Sequence, residues 1–261
     1  MKVYEITIKP ITGFGTPLKG DTIFGHFCWQ IAYDINLLGK TLENLLSNYH
    51  DEPFAVFSSA YPKLCIGRKY QYILKKPELP PDMLFIMPSD KRQTIDMRKE
   101  YKAKRWMVIE EGKALSSFKE VKFLNDQDLI ERAKTCLTRE TGKQMKKTKI
   151  KNFIAPFSQP HNAINRRTGT TGEGRFAPFS VQQNVFFPEI ELALFVGIDE
   201  TRIDIDKVRS GLERIGDTGY GKDASSGLGR FELGEDSEID LAELGSTSPN
   251  ACYTLAPCVP E

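Results

Sequence analysis

The sequence has no long hydrophobic run. Its longest apolar stretch, LALFVGI at residues 192–198, is far short of the roughly 20 residues a membrane-spanning helix needs. A transmembrane helix is therefore excluded. The opening MKVYEITIKP alternates polar and apolar residues as a strand does, and it has no signal-peptide core. Histidine is scarce, with three in 261 residues, which argues against a histidine-based metal centre. The five cysteines, at 28, 65, 136, 252 and 258, form no CxxC pair. An odd, scattered set indicates reduced thiols in a cytoplasmic protein, with neither a disulfide framework nor a zinc site.

What is present is a globular composition, 40% hydrophobic and 27% charged, on a chain long enough for one large or two ordinary domains. The net charge of +1 conceals an asymmetry. Residues 91–151 carry 18 Lys or Arg against 9 Asp or Glu, whereas residues 188–245 carry 6 against 15. A basic block suits a polyanion, because neutralising phosphates releases counterions; a solvated lysine-rich surface is the plainer reading.

Residues 2–10 alternate, with Val3, Glu5, Thr7 and Lys9 on one face and Tyr4, Ile6 and Ile8 on the other, which predicts a half-buried strand. After a Gly/Pro loop, Ile23, Phe27, Ile31 and Ile35 step by four and predict a helix N-capped by Asp21 or Thr22. A strand is expected at 54–62. Residues 75–150 are expected to be an insertion, opened by KKPELPPDM and holding charged helices at 93–106 and 126–140. Aromatic-rich strands then flank a polar loop at 158–176, which predicts an extended hairpin. The remainder reads strand 190–198, helix 204–216, a glycine-rich loop 216–229, strand 229–233, an acidic linker and a strand over 251–260. The fold class is α+β of the ferredoxin or RRM type. The expected division is a first domain over 1–187 and a second, ferredoxin-like domain over 188–261.

The loop GDTGYGKDASSGLG holds five glycines in fourteen residues. GDTGYGKD matches G-x-x-x-x-G-K but places Asp223 where a nucleotide-binding loop needs Ser or Thr for magnesium. GYGKDA matches the dinucleotide pattern G-x-G-x-x-A. Both motifs require a strand before the loop and a helix after it, with phosphate at the helix N-terminus. Here the helix precedes and the strand follows, which disfavours a nucleotide cradle. A turn alone would need only one or two glycines.

A glycine-rich loop after the last helix, leading into GLGRFE, resembles the repeat-associated mysterious proteins (RAMPs) of CRISPR effector complexes. Together, FGTPLKGDTIFGHFCW (14–29), HNAINRRTGTTGEGRFAP (161–178) and GYGKDASSGLGRFE (219–232) resemble the fourth Csm subunit of type III-A complexes. The resemblance covers nearly the whole chain, in the family's order. It implies tandem ferredoxin-like RAMP domains, with the second incomplete at Glu261. It also implies a non-catalytic RNA-binding scaffold with no cofactor or metal. Such a subunit holds the 5′ tag of the crRNA and meets target RNA, and it docks to the large cyclase and nuclease subunit and to the backbone RAMP subunit.

The residues expected to contact RNA follow from these stretches. Phe14 opens the first, and Lys19, Gly20 and Thr22 stand at a helix N-terminus, where free amides attract phosphate. His161, Asn162, Asn165, Arg166, Arg167 and Thr168 form a dense polar cluster suited to unstacked bases. In the glycine loop, Gly219, Gly221 and Gly227 would admit RNA to the backbone, Tyr220 would stack, and Lys222, Ser225 and Ser226 would supply charge and hydroxyls. A Gly221→Val substitution is accordingly expected to spare the fold. Lys143, Lys146, Lys147, Lys149 and Lys151 are expected to steer the RNA backbone with low specificity, or only to be solvated. The alternative is a metal-free endoribonuclease in which His26, helped by Tyr4 and Lys19, acts as general acid or base. His50-Asp51 lacks the further ligands of a phosphohydrolase, and Asp223 has no second carboxylate nearby in sequence.

Overall fold

The computed structural model of the chain describes residues 1–115, 117–146 and 148–258. In chain order the elements are β1 (Lys2–Pro10), α1 (Gly20–Tyr33), α2 (Leu42–Leu46), β2 (Ala55–Ile66), β3 (Lys69–Lys75), α3 (Pro81–Leu84), α4 (Lys91–Ala103) and β4 (Trp106–Glu110). There follow β5 (Lys122–Leu124), α5 (Asp126–Lys134), α6 (Arg139–Met145), β6 (Ile154–His161), β7 (Phe179–Phe186), β8 (Glu191–Ile198), α7 (Ile205–Thr218) and β9 (Phe231–Glu238). Lys147 and Glu261, both named above, lie outside the described residues.

Seven strands make one antiparallel sheet in the order β5-β4-β3-β2-β8-β1-β9, while β6 and β7 form a separate ribbon. Taking β1, β2, β8 and β9 as strands one to four gives the spatial order 4-1-3-2, with α1 after the first and α7 after the third. That is the β-α-β-β-α-β pattern of a ferredoxin-like unit. The α+β class therefore stands, but the expected boundary between residues 187 and 188 does not. It would separate β8 from β1 and β2, its two partners in the sheet. The four strands of the unit come from both ends of the chain, and everything between β2 and β8 is carried in its central connection.

The apolar stripes decide which face is covered. Ile23, Phe27 and Ile31 of α1 and Val208, Leu212 and Ile215 of α7 are buried against Ile6, Ile8, Leu192, Leu194 and Val196 of the sheet. Each such side chain contributes about 2 kcal/mol of transfer free energy. Ile35, expected to continue the stripe, lies beyond the helix and is half exposed. The helix begins one residue before Asp21: Lys19 is its N-cap and makes no side-chain capping bond.

The middle of the opposite face of β1 is buried, although its alternation suggested a solvated face. Glu5 and Thr7 are buried with Lys63 and Tyr72. Lys63 Nζ donates to Glu5 Oε1 and Thr7 Oγ1, both at 2.7 Å, and Tyr72 Oη donates to Glu5 Oε2 at 2.5 Å. The Lys63 ammonium also lies 4.4 Å above the Tyr70 ring. A buried charge costs much less when paired and hydrogen-bonded, and every polar group here has a partner.

The expected insertion is an extension of the sheet. β3, β4 and β5 add to it beyond β2, and Leu129, Ile130 and Ala133 of α5 enter the same core as α1. The charged stretch 126–140 forms two helices, α5 and α6, because Thr138 caps a new start by accepting from Thr141 N. Glu189 fastens that start: Thr138 N and Thr138 Oγ1 each donate to it at 2.7 Å. Of the expected last strand, the described residues up to 258 form no sheet. They lie as a strap along the rim, where Leu255 O accepts from Ser59 N (2.7 Å) and Tyr61 Oη (2.8 Å).

Candidate nucleic-acid interface

Three stretches distant in sequence meet at one end of the sheet. α7 ends at Thr218 because Gly219 turns the chain with φ +98°, and its N–H bonds back to Ile215 O. The loop then folds onto residues 12–17. Gly229 N donates to Gly13 O (2.8 Å), Lys222 N to Thr16 Oγ1 (2.9 Å) and Tyr220 Oη to Pro17 O (2.9 Å). Residues 12–17 are tied in turn to the ribbon, since Phe14 and Asn184 exchange two backbone hydrogen bonds of 2.9 Å each. The stretches 14–29 and 219–232 and the base of the hairpin thus form one continuous surface.

Within that surface several expected contact residues face inward. Phe14 and Tyr220 are each only 1% exposed. Phe14 packs edge-on against Phe186 (5.7 Å) and lies 6.3 Å from the Tyr220 ring. Neither ring offers a face to a base, so both are corrected to packing anchors. Burial pushes the Tyr220 phenol up to about 12. Gly20 is also buried, and its amide donates to Ser59 Oγ (3.3 Å). The Thr22 amide and hydroxyl both go to Asp21 Oδ1 (2.7 and 3.2 Å). The first turn of α1 therefore spends these donors on its own chain. The glycines likewise serve the protein. A Cβ on Gly219 would stand 2.5 Å from Leu228 O, and one on Gly221 would stand 2.6 Å from Thr16 Cβ. With φ +75° at Gly221, a valine there strains the fold, contrary to the sequence expectation. Only Gly227 of the three faces open space. Lys19, Lys222, Ser225 and Ser226 are exposed. Lys222 Nζ lies 3.8 Å from Asp223 Oδ2.

The polar cluster of the hairpin lies elsewhere. From Asn184 to Phe179 the ribbon runs five residues, about 17 Å at strand rise, before its loop begins. There Asn165 Oδ1 accepts from Arg167 N (2.9 Å), Asn165 N donates to Thr170 O, and Thr168 and Thr170 hydroxyls meet at 3.0 Å. This tight turn holds Arg166, Arg167 and Thr168 outward, all exposed. Neither arginine side chain has a partner among the described residues. Asn162 is exposed as well, and His161 stacks on Phe179 at 5.3 Å. One face of the ribbon leaves Phe157 and Phe179 about half exposed.

The sequence reading missed a cleft of about 660 Å³ beside the base of the ribbon. Lys19, Lys75 and Arg105 line it, and none of these three cations has a side-chain partner among the described residues. Lys75 and Arg105 come from the ends of β3 and the turn into β4, held together by Lys76 N donating to Arg105 O (2.8 Å). Both sit in the stretch read as an insertion, and no local pattern distinguishes them from its other basic residues.

His26 is engaged. Its Nε2 accepts from Gly221 N (3.2 Å), and its ring lies 4.9 Å from that of Tyr220. An accepting Nε2 places the proton of the neutral ring on Nδ1, and burial lowers the pKa below the usual histidine value. Tyr4, its suggested helper, donates to Glu200 Oε1 at 2.6 Å. Among the described residues no group of three His, Cys, Asp or Glu side chains could hold a metal ion, and no helix is long and apolar enough to cross a membrane.

No protein-family model matches the chain, and no curated protein does. Solved structures do. The chain is similar to one in a crystal structure of a Csm1–Csm4 cassette in complex with pppApA, at 15% identity and a TM-score of 0.49, over 92% of this chain and 71% of that one. It is similar to a chain of a Csm3–Csm4 subcomplex in the type III-A CRISPR-Cas interference complex, at 15% identity and a TM-score of 0.43, over 93% and 71%. A cryo-EM structure of the type III-B Cmr-beta bound to cognate target RNA contains another similar chain, at 12% identity and a TM-score of 0.41, over 91% and 60%.

Proposed function

We propose that this chain is a non-catalytic, cytoplasmic RNA-binding scaffold subunit of a type III CRISPR effector complex of the Csm kind. In that role it holds the 5′ tag of the crRNA, meets target RNA with its hairpin, and docks to the large subunit and to a backbone RAMP subunit. The observation that carries this reading is a set of cations with no side-chain partner among the described residues, at the tip of the ribbon and at its base. Arg166 and Arg167 stand at the tip of the ribbon, and Lys19, Lys75 and Arg105 surround the cleft at its base. Cations left without carboxylate partners favour a polyanion through counterion release. The junction of the loop 12–17, the glycine loop and Asn184 supplies a rigid base from which the ribbon projects. His26 takes part as a clasp, since its Nε2 is occupied by Gly221 N–H.

The test is a salt titration of single-stranded crRNA binding by the full chain and by the Arg166→Glu/Arg167→Glu variant. Each lost phosphate contact lowers the log–log salt slope by about 0.7. The expected result is weaker binding with a slope smaller by one or two such steps. An unchanged slope and affinity would remove the hairpin tip from the RNA path.

A further inference from the structure

The cleft beside the ribbon holds more than positive charge. Its wall includes three polar side chains without full partnering: Asp126, Asn152 and Asn184. Asp126 Oδ1 is saturated, because it accepts from Trp106 Nε1 (3.3 Å) and Phe153 N (3.0 Å). Asp126 Oδ2 has no partner among the described residues, nor do the side-chain amides of Asn152 and Asn184. Half-buried aromatic rings complete the wall. Tyr253 is held in place by its hydroxyl donating to Lys75 O (3.0 Å), and Phe186 by its edge-on contact with Phe14. The volume of about 660 Å³ lies in the range of small-molecule sites.

From this arrangement, and resting on the RNA-binding reading above, the geometry points to a subsite for one unstacked ribonucleotide whose base carries an exocyclic amine. The base stands among Tyr253, Phe186 and the two amides, and Lys19, Lys75 and Arg105 take its phosphate. Asp126 sets the choice of base. A carboxylate repels phosphate and cannot donate a proton at neutral pH, so its free oxygen selects a donor. Adenine N6, cytosine N4 and guanine N2 each supply one. Uracil offers only its ring N3–H, flanked by two carbonyl oxygens that a carboxylate repels, so it pairs with Asp126 Oδ2 less favourably than an exocyclic amine does. The saturation of Oδ1 restricts the contact to a single hydrogen bond, so the subsite separates amine-bearing bases from uracil without distinguishing sharply among the former.

The experiment measures binding of fluorescent ten-residue oligoadenylate, oligocytidylate and oligouridylate to the full chain, with free AMP as competitor. Wild type is expected to prefer the adenylate and cytidylate over the uridylate by about tenfold, the scale of one hydrogen bond to a charged group. Asp126→Asn keeps an oxygen for Trp106 and Phe153 but replaces the free acceptor with a donor. It is expected to abolish or invert the preference while leaving the melting curve in place. Lys75→Ala/Arg105→Ala is expected to weaken all three oligonucleotides and to reduce the salt slope by up to about 0.7, the one phosphate that the subsite neutralises. Displacement of oligoadenylate by micromolar AMP would identify a free mononucleotide as occupant, and failure of AMP to compete would identify a residue within a strand. Equal affinity for the three oligonucleotides, unmoved by Asp126→Asn and by Lys75→Ala/Arg105→Ala but lost in Arg166→Glu/Arg167→Glu, overturns the subsite and leaves the RNA-binding function standing. Absence of binding to any RNA overturns the function and the subsite together.

Discussion

Gly219, Gly221 and Gly227 have φ of +98°, +75° and +96°, but their surroundings differ. The missing side chain of Gly221 is replaced by Thr16, whose Cβ would stand 2.6 Å from an added methyl group, whereas Gly227 faces open space. The backbone term for alanine at a left-handed position is about 1–2 kcal/mol, and it applies at both sites. Only Gly221 adds a clash with a side chain whose hydroxyl is already bonded to Lys222 N. Gly221→Ala should therefore lower stability by about 2–4 kcal/mol, and Gly227→Ala by about half that. Urea denaturation of the two variants compares them directly. Equal losses would mean that the loop relaxes away from Thr16 at no cost. The glycine count was legible in the sequence, but the reason for Gly221 was not, because the neighbour that demands it, Thr16, lies some 200 residues earlier in the chain.

The elements most legible were those with an internal period. α1, α7, β1 and β8 each carry their apolar face in a window of a few residues, and each formed close to its expected span. β4 and β5 carry too few residues for a period to show, and they fell inside what read as an insertion. Contacts between elements left no local trace, and the clasp joining α1 to the glycine loop is one of these. His26 Nε2 accepts from Gly221 N only when the ring is neutral. Its folded pKa lies below the ordinary 6.5 because burial disfavours the charged ring, so the unfolded chain binds the proton more tightly. The contribution is complete above pH 6.5 and is lost as pH falls from 6.5 through the lower folded value. The stability difference between wild type and His26→Phe should accordingly shrink from pH 7.5 to pH 5. Denaturation at both pH values measures it, and a difference independent of pH would show that the clasp does not titrate with folding.

For the whole molecule, the decisive fact is the position of β8. It lies between β1 and β2, pairing with both, although it follows β2 by some 125 residues. A fragment of residues 1–187 lacks this central strand and leaves Ile6, Ile8 and Phe57 without the strand that covers them. It should show no cooperative thermal transition and should exchange its β1 amides rapidly, whereas two independent domains would leave such a fragment folded. A cooperative melt of residues 1–187 would restore the tandem division. The charge asymmetry takes its meaning at this scale too. The acidic C-terminal part supplies β9 at one edge of the sheet, and the basic middle supplies the strands at the other.

By itself the sequence determined the α+β class, the strands and helices with clear periods, the hairpin and the polar cluster in its loop. Each of these depends on residues close together in the chain, where hydrophobic period and turn chemistry act directly. Only the tertiary structure decided that the two ends of the chain build one sheet, that Phe14 and Tyr220 are anchors, and that Lys19, Lys75, Arg105 and Asp126 share a cleft. The physical reason is strand order. Once β8 enters between β1 and β2, the loops at one end of the sheet must meet. Which of their side chains are buried against one another, and which remain free for a ligand, follows from that meeting and from no pattern within any single stretch.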